Sequence, residues 1–276
     1  MKTLERLILD HLRPLVSSFM DPLQFAYQPS IGVDDAVIYL LHTALTHLEK
    51  AGSTVRIMFF DFSSAFNTIQ PRLLGDKLQV AGVDHHLTTW ILDYLTQRPQ
   101  FVRVKGSQSD WLLCSTGVPQ GTVLAPFLFT LYTADFSHGS SSCHLQNFSD
   151  DSAAVGLITD GDETESRGLI QDFVDWSLRN NLQINASKTK ELVVDLRRRN
   201  TVHCLSASHL GYPDPSGHPG YPPLAGTGLP PAGPESSFRD AEGDDGGLKP
   251  CVALRQDDGH PITVHLSSLF SWATTL

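Results

Sequence analysis

Apolar residues crowd one short run, Val55-Arg56-Ile57-Met58-Phe59-Phe60, which stops at Asp61. An almost unbroken run of that length predicts a strand buried on both faces of a sheet. Two further runs, Leu145 to Phe148 and Ala153 to Leu157, predict short strands, with Ser149-Asp150-Asp151-Ser152 as the hairpin turn between them. Elsewhere the spacing is helical. Leu4 to Leu12 repeats at three and four and is ended or kinked at Pro14, and Asp34 or Asp35 can cap a helix over Ala36–Lys50 that Gly52 stops. Helices are predicted around Pro71–Val80 and His85–Thr96, then over Phe127–Ala134 and about Thr164–Asn180, the last with Phe173 and Trp176 on its buried face. Phe101–Val104 with Trp111–Cys114 predicts a second hairpin, and Glu191–Asp195 another strand. The pattern is α+β, an antiparallel sheet with helices on one face.

Three acids stand out against this apolar background. Asp61 closes a buried strand, and a charge there is rarely buried unless it is paired or binds a metal. Asp150 and Asp151 are neighbours at a hairpin tip, where two like charges raise one pKa unless a cation neutralises them. Carboxylates from separate strands can hold two divalent metals about 3.5–4 Å apart, the arrangement phosphoryl transfer uses. An Asp-Asp pair is equally ordinary in a surface turn. Between the acids, Thr116-Gly117-Val118-Pro119-Gln120-Gly121 leads into the apolar helix, whose first N–H donors would suit a phosphate or base, or form a plain loop-to-helix junction.

The order of these parts resembles the palm of reverse transcriptases, and within them the polymerase of non-LTR (LINE-type) retrotransposons. Phe59-Phe60-Asp61-Phe62-Ser63-Ser64-Ala65-Phe66 is similar to that family's first motif, and Gly117-Val118-Pro119-Gln120-Gly121 with Leu124-Ala125-Pro126-Phe127 to its second. Phe148-Ser149-Asp150-Asp151 is similar to the third, with Ser where Ala is usual, and Asn181-Leu182-Gln183-Ile184-Asn185-Ala186-Ser187-Lys188 to a fourth. The resemblance, from about Leu4 to Arg199, implies an RNA-directed DNA polymerase with two Mg2+ ions, or Mn2+, held by Asp61, Asp150 and Asp151. It implies Lys188 as the acid for the leaving pyrophosphate, although a loop lysine is as readily a solvated charge. Phe62 and Phe66 would adjoin the nucleotide, Phe66 excluding a 2′-hydroxyl unless it is simply a core aromatic. Gln120 and Gly121 would contact the incoming nucleotide. The implied partners are an RNA template, a DNA primer and deoxynucleoside triphosphates.

Composition adjusts this picture. The 276 residues carry a net charge of −10, which runs against a duplex-gripping protein and leaves Arg98, Arg103, Lys105, Lys188, Lys190 and Arg197-Arg198-Arg199 as candidates for phosphate contacts. Residues 201–276 hold ten of 17 prolines and ten of 21 glycines, so disorder is expected there. The expected organisation is partial fingers and entry helices over 1–52, palm over 53–199 and a Pro/Gly-rich tail over 200–276, with the thumb absent and the polymerase truncated at both ends. A non-catalytic retrotransposon relic that binds nucleic acid weakly at most is the alternative. A nucleotide cyclase is disfavoured by Pro119-Gln120-Gly121 and the Leu-x-Asn-x-x-Lys segment. No run is long enough for a membrane span and no signal peptide is evident, so an intracellular setting, nucleus or cytoplasm, is expected, without secretion. Cys114, Cys143, Cys204 and Cys251 lack Cys-x-x-Cys spacing, which argues against zinc and against a disulfide framework. Glu191 and Asp195 read as surface acids, and the oligomeric state is left open.

Overall fold

Strand β1 (Ser53–Phe60) is rich in β-branched and aromatic residues and is buried along almost its whole length. In the computed structural model, which describes residues 2–195, 201–206, 251–255 and 261–265, it is the central strand of a five-stranded sheet. Its neighbours are β7 (Asp151–Thr159) on one side and β8 (Lys190–Asp195) on the other. β6 (Cys143–Phe148) pairs outside β7 and β9 (Thr201–Ser206) outside β8, every pair antiparallel. The second predicted hairpin forms in two pieces. β2 (Arg98–Gln100) pairs with β5 (Leu112–Cys114), and β3 (Arg103–Val104) with β4 (Ser107–Gln108).

Alternation along β1 divides its side chains between two layers. Met58 and Phe60 enter the main core, shared with helices α1 (Lys2–Val16), α4 (Pro71–Val80), α5 (His85–Leu95), α6 (Leu124–Thr133) and α7 (Thr164–Arg179). Phe60 meets Phe173 at 4.9 Å between ring centroids, and Trp176 stacks on Phe173. The opposite face is not bare, because α2 (Val33–Leu48) lies across it. Gln146 Nε2 donates to the Ala36 carbonyl at 2.7 Å, His47 Nε2 lies 2.8 Å from the Ile158 carbonyl, and Tyr39 meets His144 edge-on. The α+β palm is therefore present, with helices over both faces of the sheet rather than one. That second layer explains why β1 has no solvent-facing row. Helix α1 also continues past Pro14 to Val16, further than its pattern suggested.

The chain divides into two units, Met1–Tyr212 and Pro213–Leu276. In the second, β10 (Cys251–Arg255) pairs antiparallel with β11 (Pro261–His265). The expectations of a disordered tail and a missing thumb fall otherwise on residues outside those described. So does the expected phosphate-binding run Arg197-Arg198-Arg199.

One sequence reading is corrected here. Glu191 is not a surface acid but is 3 % exposed, and its carboxylate takes two charge-assisted bonds from Arg56, at 2.8 and 2.9 Å. Arg56 also bonds Glu163, which in turn bonds Arg167. Removing one member of a buried pair leaves an uncompensated charge, at about 3–5 kcal/mol. Arg56→Met should therefore lower unfolding free energy by that order in urea titration, and Arg56→Met with Glu191→Met should recover most of the loss. Equal destabilisation by single and double variants would contradict the pairing.

Candidate active site

Register brings the acids together. Phe60 pairs with Ser152 across β1 and β7, so the next residue of each strand end, Asp61 and Asp151, meet at the same edge of the sheet. Phe148 pairs with Asp151, so the loop between β6 and β7 contains only Ser149 and Asp150. The four-residue turn read from the sequence is thus shorter, with Asp151 and Ser152 already in β7. Ser149 has φ +61° and Asp150 has no positive φ, the backbone of a type II′ hairpin turn. Side chains hold the unusual Ser149 conformation. Gln24, itself 2 % exposed, accepts from the Ser149 N–H at 3.0 Å and donates to its carbonyl at 3.1 Å, while the Tyr27 hydroxyl lies 2.7 Å from Ser149 Oγ. Leu23 and Phe25 exchange backbone bonds with Asn147, and Asp21 accepts from Asn147 Nδ2.

A second loop closes on the first acid. Ser63 N–H donates to the Gln183 carbonyl and Asn185 N–H to the Asp61 carbonyl, both at 2.8 Å. Asn185 then organises its own turn, its side chain accepting from Ser187 and its carbonyl from Lys188 and Thr189. That turn delivers Lys188, whose Nζ is 3.2 Å from Asp61 Oδ2 with 58 % of its side chain exposed. The other oxygen, Asp61 Oδ1, is buried with no hydrogen-bond partner. Burial, then the charges of Asp150 and Asp61, push the Asp151 carboxyl up to about 7, against the opposing pull of Lys188. Asp61, Asp150, Asp151 and Lys188 therefore form one electrostatic cluster.

The Pro-Gln-Gly loop is tied to the segment that follows Asp61 in the chain. Gly117 N–H donates to the carbonyl of Ile69, just past the short helix α3 (Ala65–Thr68), and Val118 N–H to that of Phe66 within it. Gly117 has φ +70°, and a Cβ there would lie 2.7 Å from Asn67 Cα, so only glycine fits. Gly121 is also at positive φ, +78°, but faces open space. Gln120 is exposed, 3.4 Å from Asn67 Oδ1. Phe66 is half-buried and stacks on Phe129 with centroids 4.6 Å apart. Phe62 stands apart, because its ring is buried against Phe173 and leaves only its backbone near the acids.

The start of α6 follows the plain junction of the two readings rather than the open anion site. Its N–H donors at Val123 and Leu124 are taken by the Glu5 carboxylate of α1, at 2.6 and 3.3 Å, so they are not free for a phosphate. An acid satisfies both the open donors and the positive end of the helix. Arg98 likewise bonds the carbonyls of Leu95, Thr116 and Gly117 rather than facing solvent. Glu5 and Gln24 were missed in the sequence. The only signal for Glu5 is that it shares the helical stripe of Leu9, Leu12 and Val16, all buried.

Three carboxylates, an unpaired buried oxygen and a carboxyl raised by burial and by neighbouring like charge are chemistry that suits a hard divalent cation. Asp61, Asp150 and Asp151 would hold it. Among the described residues, the trio of ligand atoms within 4.8 Å of one another is found elsewhere, at His138, Cys143 and Glu165.

Two outcomes follow from this geometry. Gln24→Leu strands the Ser149 N–H and carbonyl, and each buried unpaired group costs about 1–3 kcal/mol. Its urea midpoint should fall accordingly, and a change below about 0.5 kcal/mol would mean that water replaces the clamp. Mg2+ or Mn2+ should raise the melting temperature of the parent, by the equivalent of about 1.4 kcal/mol at ten times Kd. Asp61→Asn and Asp150→Asn should start more stable without cation and gain less from it. An equal gain in all three proteins would place cation binding elsewhere.

Comparison with known proteins agrees with the geometry. The family described as reverse transcriptase (RNA-dependent DNA polymerase) matches residues 1–213. The RNA-directed DNA polymerase from mobile element jockey of Drosophila funebris is 28 % identical over 204 residues, covering 68 % of this chain and 21 % of that protein. The probable RNA-directed DNA polymerase from transposon X-element of Drosophila melanogaster is 33 % identical over 114 residues, 38 % of this chain and 12 % of the relative. The chain thus spans about a fifth of the length of the jockey polymerase. In fold it is similar to telomerase from Candida tropicalis in complex with a TWJ fragment of telomeric RNA, with a TM-score of 0.53 at 12 % identity over 70 % of this chain and 34 % of the other. By its sequence match, its sheet and its ordered motifs, the chain belongs to the reverse transcriptase (RNA-dependent DNA polymerase) family.

Proposed function

We propose that this chain carries the palm chemistry of an RNA-directed DNA polymerase, extending a DNA primer on an RNA template with deoxynucleoside triphosphates. The carrying observation is the meeting of Asp61 with Asp150 and Asp151 at one sheet edge, with Asp61 Oδ1 buried and unpaired. Two Mg2+ ions, with Mn2+ as a substitute, would activate the primer 3′-hydroxyl and neutralise charge on the phosphates. The protein side of the reaction is positional. The Gln24 clamp fixes the hairpin tip, so Asp150 and Asp151 need no reordering when substrate arrives. Gln120, exposed beside Gly121, is free to bond the incoming nucleotide. Phe66, backed by Phe129, supplies a rigid edge beneath a sugar. Lys188 is exposed enough to leave Asp61 and give a proton to the departing pyrophosphate. Arg103 and Lys105, on the exposed β3–β4 hairpin, are the surface cations nearest in sequence to the Gln120 loop and would contact the nucleic-acid backbone. No helix among the described residues is long and apolar enough to cross a membrane, and an intracellular setting suits the proposed copying.

A second reading, a palm that no longer polymerises and binds nucleic acid weakly at most, is favoured by the net charge of −10. Primer extension on an RNA template, in Mg2+ and in Mn2+, separates the two. The parent should extend the primer and Asp150→Ala should lose about 1000-fold, equivalent to about 4 kcal/mol of transition-state stabilisation. Absence of extension by a parent protein that still unfolds cooperatively would refute the polymerase reading and leave the second.

A further inference from the structure

At the other end of β6, away from the aspartates, a different donor set gathers. His138 lies in the connection from α6 to β6, Cys143 is the first residue of β6, and Glu165 is in the first turn of α7. One ligand atom from each lies within 4.8 Å of the other two. Helix α7 offers Glu165, Gly168 and Asp172 at spacings of three and four, along one face. A Cβ on Gly168 would sit 3.8 Å from His138 Cε1, so the imidazole rests directly over that glycine. Asp172 Oδ2 is 2.8 Å from His138 Nδ1. A carboxylate can only accept, so Nδ1 carries the proton and the neutral ring has its lone pair on Nε2.

Nε2 is buried with no hydrogen-bond partner, 4.0 Å from Glu165 Oε2. Cys143 is 2 % exposed, its Sγ 3.5 Å from the Glu165 carbonyl. An imidazolium held between Asp172 and Glu165 is the simpler arrangement, but 4.0 Å is too long for a hydrogen bond and would leave a charged N–H buried and unpaired. A ring whose Nδ1–H is fixed by a carboxylate and whose Nε2 faces a thiol and a second carboxylate has the ligand and outer-shell pattern of zinc sites.

We propose that His138 Nε2, Cys143 Sγ and a Glu165 carboxylate oxygen form a site for Zn2+, with Asp172 orienting the imidazole and a fourth position left to solvent. Binding forms one bond each from sulfur, nitrogen and oxygen, and releases the thiol proton to solvent without redox change. Thiolate and imidazole favour Zn2+ over Mg2+, so the site is chemically distinct from the aspartate cluster. Zinc bond lengths of about 2.0–2.1 Å to nitrogen and oxygen bring Nε2 and Oε2 to about 3.3 Å in a tetrahedral site. Closing from 4.0 Å takes less than about 1 Å, and the Glu165 side chain, 60 % exposed, is free to make that movement. The cation would staple the α6–β6 connection to the strand that runs on to Ser149 and Asp150, and to α7 above it.

The test is titration of the full chain, expressed without a histidine tag, with Co2+ and with Zn2+ against a chromophoric chelator. An Asp150→Ala background removes the competing aspartate site. One equivalent of Co2+ should give a sulfur-to-cobalt charge-transfer band that Zn2+ displaces. Cys143→Ser and His138→Ala should lose the band. Glu165→Gln, a change at an exposed position that leaves folding intact, should weaken Zn2+ binding at least tenfold, and Asp172→Asn should weaken it about 10–100-fold. Saturating Zn2+ should raise the melting temperature of the background protein and leave Cys143→Ser unmoved. Absence of a sulfur band in the Asp150→Ala protein, or Zn2+ affinity unchanged by both Cys143→Ser and Glu165→Gln, would overturn the proposal.

Discussion

Like charge is held at one edge of the sheet by backbone register, and the surrounding structure is arranged around that constraint. β1 and β7 cannot slip without turning every side chain to the wrong layer, since the side-chain period is two. With Met58 and Phe60 fixed in one core and Val55, Ile57 and Phe59 under α2, the pairing of Phe60 with Ser152 is determined. Asp61 and Asp151 then have no choice but to meet. Burial first and then the repulsion from Asp150 and Asp61 raise the Asp151 carboxyl, and Lys188 opposes the rise. Gln24, Tyr27 and the Asn185 turn hold the two loops against that repulsion.

Much of this could be read from residue pattern, and the parts that could not share a cause. β1, β6 and β7 announced themselves as apolar runs and α4, α5 and α7 by helical period, because each buries residues that are local in sequence. The motifs placed Asp61, Asp150 and Lys188 in one order, and the fold puts them in one place. What the chain did not disclose were partners distant in sequence. Glu5 looked like any helical acid, Glu191 like a surface charge, and Arg98 like a phosphate ligand, yet each has its charge engaged internally by a group on another element. Phe62 shows the converse: a residue next to Asp61 in sequence turned its ring into the core.

Cysteine spacing gives no sign of the proposed Zn2+ site, for a related reason. Zinc motifs are recognised when two ligands lie a few residues apart, and no pair of cysteines does here. His138, Cys143 and Glu165 come from a connection, a strand and a helix, and Gly168 makes room for the imidazole between them. Such a set becomes visible only after the sheet and α7 have been assembled.

The cap that Glu5 places on α6 also bears on how the molecule is made. Val123 and Leu124 find their acceptor 118 and 119 residues back along the chain. Closing a loop of that length costs about 4 kcal/mol in chain entropy before the contact returns anything, by the logarithmic rule for flexible loops. Contacts of such separation slow folding, whereas the β6–β7 hairpin closes over two residues. The acids of the hairpin tip can therefore be in place early, while the loop carrying Gln120 waits for α1 to return. On a ribosome α1 emerges before α6, and it must stay unpaired at Glu5 until α6 has been synthesised.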